Sequence, residues 1–502
     1  MSHNDGEHTS SDGGGHEDEP LRVDLCIVGA GVAGLNALAV ATNYLDSTKR
    51  VALIDRRDGP GGMWRDTYPY VRLHQPYQLF TAGDIPWELR RERGYLANRQ
   101  EVVDHLTHCR DVSADRVRLH EFYGATVEYH SESDDLVLVQ LRDAHGAVHT
   151  IETPRLINAY GFNVTPNQPL PVSSSQVRSV SPDFVDLVGP EFTADGAPVW
   201  IVGSGKTALD TAYTIIARYP DREVNIVAGS GTFFNNRDQL FPNGFRRWWS
   251  GKPFTVVFTG AADMFDGWND QDVRHDFRDQ YTISPFPHAR RYMTGNLSVV
   301  ECDAVAAGLS TTVMEYFVDV DDRDGRPCMI LRDGPDLEIE PGSWVINCTG
   351  YLLHDAPTYQ PYVTPGGRVV TVGTTSTIFQ FSTYGAYFLT HLAFLDRLES
   401  APLYAVDLNA LVQRAPDASL AVVCALSLYN FAVLAEQLPM SVFTSCGVDF
   451  NRWYPKPRQF TTSARFLASH RRKREHYRAV LDTAATRFDV GLGPVVGATA
   501  TR

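Results

Sequence analysis

The sequence has no cysteine pair to work with. Its seven cysteines, Cys26, Cys109, Cys302, Cys328, Cys348, Cys424 and Cys446, are scattered and odd in number, and no Cys-x-x-Cys occurs. That pattern fits a reducing cytoplasm and leaves no dithiol to shuttle electrons. There is no unbroken apolar run of 18 residues, so no membrane span is expected. Positive charge is also short: the formal net charge is -15, which excludes the basic face that nucleic-acid phosphates require. The opening MSHNDGEHTSSDGGGHEDEP lacks the apolar core of a signal peptide. Residues 1–20 are expected to form a disordered tail, with His3, His8 and His16 as tail residues, and no metal site is expected. The basic run RRKREHYRAVLD (471–482) is expected to be a solvated helix face.

What is present is a long alternation of apolar runs, glycine turns and helical patterns. At 502 residues and 43% hydrophobic composition, the chain exceeds one core and should form two or three domains. The segment from Leu21 to Arg57 reads as strand, turn, helix, strand. Gly29, Gly31 and Gly34 form G-x-G-x-x-G directly after the first strand, and Asp55 ends the second. In such a unit the glycines allow a tight turn, backbone approach to a pyrophosphate and close packing of helix on strand. Asp55 is placed to accept hydrogen bonds from an adenosine ribose.

A second stretch, VWIVGSGKTALDTA (199–212), contains the Gly-Lys-Thr of an ATP-gripping loop. That loop needs a glycine five positions before Gly205, where Trp200 stands, so the ATPase reading fails. Gly203, Gly205 and Ala208 instead make G-x-G-x-x-A between an apolar strand and a helix, a second dinucleotide site with Lys206 and Thr207 at its mouth. After the next strand come Ala228, Gly229 and Ser230, without the carboxylate that would select NAD. This favours NADPH, with Ser230 and Arg237 as candidate partners of its 2′-phosphate.

Four features in order resemble the flavin- and NADPH-dependent monooxygenases with two dinucleotide-binding domains. They are GAGVAG (29–34) followed by Asp55, GGMW (61–64), VGSGKTALD (202–210) and NCTGY (347–351). The resemblance covers roughly residues 22–400. It implies FAD in the first site, against Gly29, Gly31, Gly34, Asp55, Arg56, Gly62 and Trp64. It implies NADPH in the second, with Thr349 and Gly350 where the chain crosses between the two domains. His74 and Gln75 fall where the family lines the flavin pocket. The linker QVRSVSPDFVD (176–186) lacks the histidine of the hydroxylating and Baeyer-Villiger fingerprints, which leans toward the N-hydroxylating branch.

The expected fold class is α/β, with two Rossmann-like dinucleotide-binding domains plus a helical domain. The expected boundaries are an FAD-binding part over 21–195, an NADPH-binding part with an insertion over 196–340, a return of the FAD-binding domain over 341–400 and a mainly helical part over 401–502. Arg72, Arg290 and Arg291 are expected to gather as a cationic pocket for a small anionic substrate. With the N-hydroxylase leaning, this resembles the aspartate N-hydroxylases that form nitrosuccinate. The expected partners are a small-molecule substrate and O2, with a homodimer as the candidate assembly. An amine, sulfide or ketone oxygenase and a plain flavin reductase or oxidase are the alternatives.

Overall fold

The computed structural model describes residues 19–161, 164, 166–350 and 360–494. The tail with His3, His8 and His16, and Tyr351 at the end of NCTGY, lie outside the described residues.

Two five-stranded sheets, each wholly parallel, carry the architecture. In the first, the strands run Val369–Gly373, Leu156–Gly161, Leu25–Val28, Arg50–Asp55, Arg118–Tyr123. In the second the order is Thr311–Val313, Val224–Val227, Val199–Val202, Trp344–Asn347, Arg178–Val180. The strands Leu25–Val28 and Val199–Val202 are buried throughout, as central strands of a sheet covered on both faces should be. Each has its sequence successor on one side and a strand from much later in the chain on the other. Strand order therefore reverses beside each of them, and it is at such a switch point that a parallel sheet opens a ligand crevice. The α/β class with two Rossmann-type sheets and a helical layer is the fold observed.

Two boundaries differ from expectation. Trp344–Asn347, expected to open the returning part of the first domain, pairs with Val199–Val202 in the second sheet. A buried apolar strand carries no sign of which sheet it will join. The helical layer also draws on two places. Ser419–Gln437 and Lys456–Phe488 come from the expected region, but they pack with Phe254–Met264 and Asp270–Tyr281 from the insertion. Tyr477 donates to Asp263 at 2.8 Å, and Lys473 pairs with the same carboxylate. Arg474 reaches Glu436 at 2.6 Å. The basic run is thus partly a docking face, because its charges meet acids on neighbouring helices.

Ser419–Gln437 is long and apolar enough to cross a membrane by length and composition, although Ser427 and Asn430 interrupt its apolar run. Most of it is enclosed by protein, and its Asn430 is fully buried. The Asn430 amide donates to the carbonyls of Ile378 and Tyr404 and accepts from the Tyr404 N–H, so it staples the helix to the segment after the first sheet.

Candidate functional site

Both glycine motifs turn at the switch points. Gly29 has φ +107° and packs against Ala159 on the neighbouring strand, where a Cβ would stand 2.5 Å from the carbonyl oxygen. Gly203 repeats this in the second sheet, with φ +125° and a Cβ position 2.4 Å from the Cys348 oxygen. Only glycine fits either place. The helices that follow, Val32–Ala41 and Lys206–Arg218, begin at Gly31 and Gly205 without any side-chain cap and without acids in the first turn. Other helices are also uncapped, but Asn98 with Glu101 and Ser298 with Glu301 show what a closed start looks like, a full capping box. The two bare helix starts leave first-turn N–H groups and the positive end of the helix dipole for an anion. Gly34, packed against Gly29, and the buried Ala208 let these helices lie close on their strands.

In the first crevice Asp55 is buried, accepting from Ala30 N at 2.6 Å and Arg57 N at 2.8 Å. The carboxylate therefore sets the shape of the glycine turn. Gly62 has φ +56°, and a Cβ there would come 2.7 Å from the Gly31 Cα. The GGMW loop thus lies directly against the first glycine turn, an approach of backbone to backbone that glycine at Gly62 allows. Trp64 packs edge-on against Phe80, ring centroids 5.7 Å apart. Arg99, at the start of a capped helix, holds the loop by donating to the carbonyls of Trp64 and Thr67, at 2.9 and 2.7 Å, and to that of Arg65. Arg56 is exposed and reaches the Val164 carbonyl.

In the second crevice Thr207 is buried at the helix start, and Lys206 pairs with Asp210 one turn on. Burial pushes the Asp210 carboxyl up, against the pull of Lys206 and a hydrogen bond from Tyr68. Ser230 follows the second strand, as expected. Its carbonyl and that of Gly231 accept from the backbones of Arg290 and Arg291, at 3.0 Å each. Arg237 is elsewhere: it opens the short helix Arg237–Leu240 after the strand that Ser230 precedes, and it pairs with Glu301. Thr349 is held by the Asn347 carboxamide, its hydroxyl donating at 2.7 Å, while its carbonyl accepts from Asn167. Gly350 lies beyond it at the edge of the described residues. Burial pushes the Cys348 thiol up to about 12, so it stays protonated and inert. All seven cysteines are free.

The loop after GGMW joins the two crevices. Tyr68 donates to Asp210 at 3.0 Å, and Tyr70 meets Thr211 at 2.7 Å. His74 Nδ1 accepts from Asn296 N at 3.0 Å, which puts the ring proton on Nε2. Burial, then the cations Lys206 and Arg237, push His74 down to about 3. It is a neutral hydrogen-bond donor at physiological pH and not a proton source. Burial works to raise Glu301, but Arg237, Lys206 and Ser298 together hold it below its ordinary value. Gln75 is buried beside His74 in the chain.

The expected arginine cluster does not form. Arg72 is exposed and turns to the Leu96 carbonyl and Tyr95. Arg290 and Arg291 are exposed at the start of the strand Arg291–Leu297, whereas His74 meets its far end, roughly 16 Å of extended backbone away. Adjacency in sequence carried no information about which end of that strand faces the flavin-side loop. Sequence reading also passed over Tyr68, Tyr70, Asp210 and Glu301, ordinary residues whose only signal was their closeness to recognised motifs.

Comparison with known proteins agrees with this geometry. Residues 27–84 match the NAD(P)-binding Rossmann-like domain. An uncharacterised protein of Mycobacterium bovis is 25% identical over 343 residues, 66% of this chain and 60% of that protein. The aligned region thus spans about 60% of the length of that relative. A Mycobacterium tuberculosis protein bearing the name FAD-containing monooxygenase MymA is 29% identical over 201 residues, 37% of each chain. Among solved structures, an open form of cyclohexanone monooxygenase superposes with a TM-score of 0.51 at 13% identity, covering 90% of this chain and 99% of that one. The shared feature is the fold, with its Rossmann-type parallel sheets and helical region.

Proposed function

We propose that the chain is an FAD- and NADPH-dependent monooxygenase. The observation that carries this is the repetition of one crevice design: a bare helix start and a glycine forced against the neighbouring strand occur in both sheets, joined through Tyr68, Tyr70 and His74. One crevice would hold FAD against Gly31, Asp55 and Gly62, and the other NADPH against Gly203, Gly205 and Thr207. The bound flavin would supply oxygen activation after taking hydride from NADPH. The chain's own part is to hold both nucleotides edge to edge, keep His74 neutral and exclude water. With no reactive thiol among the seven cysteines, a dithiol reductase finds no support.

For the 2′-phosphate of NADPH we assign Ser230 with Arg290 and Arg291, whose backbones are bonded to the Ser230–Gly231 turn. Arg237 and Lys206 have acidic partners and serve the junction instead. Within the class, the linker sequence favours N-hydroxylation, in which an amine, O2, NADPH and a proton give a hydroxylamine, NADP⁺ and water. L-Aspartate was suggested by three converging arginines, and since they do not converge its support is the branch resemblance alone. The purified protein should be yellow with bound flavin and should oxidise NADPH in an oxygen-dependent manner. A colourless protein that takes up neither FAD nor NADPH would overturn the reading.

A further inference from the structure

A cavity of about 190 Å³ lies between the helical layer and the segment following the last strand of the first sheet. Its walls include Phe254, Phe258, Phe379, Phe388, Phe431 and Phe443. These rings brace each other, with centroids 4.3 Å apart for Phe254 and Phe258, 4.7 Å for Phe379 and Phe431, and 5.4 Å for Phe388 and Phe443. Such a wall keeps its shape when empty and favours a flat apolar guest.

Two buried polar side chains also line it. Gln380 is 8% exposed and Ser427 is 3% exposed, and neither Gln380 Oε1 nor Ser427 Oγ has a hydrogen-bond partner among the described residues. Unpaired buried polar atoms are costly, and a side of the cavity that keeps two of them has the character of a ligand site. Phe379 also lines a smaller pocket formed by Gly161 and Gly373, the ends of two strands of the first sheet. The aromatic cavity therefore abuts the region outside the carboxyl ends of those strands, where a parallel sheet binds its cofactor.

From this we infer that the cavity is the substrate site, and that it takes a molecule of one aromatic ring with a short arm ending in an N–H or O–H donor. The inference rests on the monooxygenase reading for its link to catalysis. The volume sets the size, since a cavity of about 150 Å³ holds one benzene. Gln380 Oε1 calls for a donor on the guest, and Ser427 can serve either way. Asp449, Arg452 and Lys456 also stand in the lining, and Arg452 Nη1 is buried without a hydrogen-bond partner among the described residues, so charged groups flank the polar arm; aspartate, which has no ring, would leave the phenylalanine wall unfilled.

The test is calorimetric binding to the flavin-loaded protein of 2-phenylethanol, ethylbenzene and L-aspartate, with NADPH oxidation followed in the presence of 2-phenylethylamine. Binding of 2-phenylethanol roughly tenfold tighter than ethylbenzene is expected, with aspartate not binding. Gln380→Leu should erase the difference between the first two probes. Phe431→Trp and, separately, Ser427→Leu should abolish both by filling the space, with circular dichroism checking that each variant folds. Aspartate binding in place of the aryl probes, or aryl binding unchanged in both filled variants, would overturn the inference. A protein that holds FAD and oxidises NADPH but binds no aryl probe sinks the inference alone. One that binds the probes without taking up either nucleotide sinks the monooxygenase reading and with it the link to catalysis.

Discussion

His74 Nδ1 accepts a hydrogen bond from the backbone N–H of Asn296 at 3.0 Å, so one ring of the first domain's loop is fastened to the end of a strand in the second. Because that nitrogen is an acceptor, protonating it breaks the contact, and burial with Lys206 and Arg237 already pushes the ring down to about 3. The unfolded chain therefore takes up the proton first. Stability from this residue is complete above the ordinary value of 6.5 and falls as the pH drops toward 3. We expect His74→Asn, which keeps an acceptor but cannot titrate, to flatten the loss of stability by about 1.4 kcal/mol per pH unit between roughly pH 6 and 4. Urea midpoints measured across that range for both proteins check it. Parallel curves would show that His74 titrates normally.

Lys206 pairs with Asp210, and Tyr68 reaches that carboxylate from the other domain. Removing the cation alone leaves a buried carboxylate with one hydrogen bond. Lys206→Met should cost about 3 kcal/mol of stability, while the double change Lys206→Met with Asp210→Leu should recover most of it. A double-mutant cycle by chemical denaturation measures this. If Lys206→Met is harmless, the lysine is free for the nucleotide and the pairing has been given the wrong weight.

Backbone bonds hold the exposed residues Arg290 and Arg291 against the Ser230–Gly231 turn that follows the second strand of the second sheet. Replacing both arginines by alanine should raise the KM for NADPH at least tenfold with little change for NADH, since only the former carries the 2′-phosphate. Equal losses with both coenzymes would show that the pair acts on substrate or on folding.

Much of this was legible in the sequence, and the limits of legibility have physical causes. GAGVAG, GGMW and VGSGKTALD could be read because local geometry dictates their residues: a turn at positive φ, or a backbone passing within van der Waals range of another, admits only glycine. Asp55 was readable as the end of a strand, though not as the brace of the turn at Ala30. Sequence places Arg290 and Arg291 at the substrate because nothing in a pair of adjacent arginines tells which end of a strand they occupy. Sequence alone keeps the helices at 254–264 and 270–281 with the nucleotide domain, since an apolar face does not name its partner. The phenylalanine cavity was invisible for a similar reason: its six rings come from four separate segments, and each reads alone as an ordinary core residue.

Gly29 and Gly203 occupy equivalent places, and that equivalence allows the two-nucleotide reading to be divided experimentally. Each has positive φ, and each would drive a Cβ into a carbonyl oxygen of the neighbouring strand, Ala159 at 2.5 Å or Cys348 at 2.4 Å. Since the obstructing atom is backbone in both cases, the turn itself must shift, pulling the helix start away from the pyrophosphate. Gly203→Ala should therefore retain bound FAD while NADPH affinity falls at least tenfold, and Gly29→Ala should lose FAD while still binding NADPH. Flavin absorbance after gel filtration and NADPH titration by fluorescence read the two independently. If Gly203→Ala releases FAD, or Gly29→Ala keeps it and loses NADPH, the nucleotides have been assigned to the wrong sheets. If either variant loses both, the crevices are not separable sites.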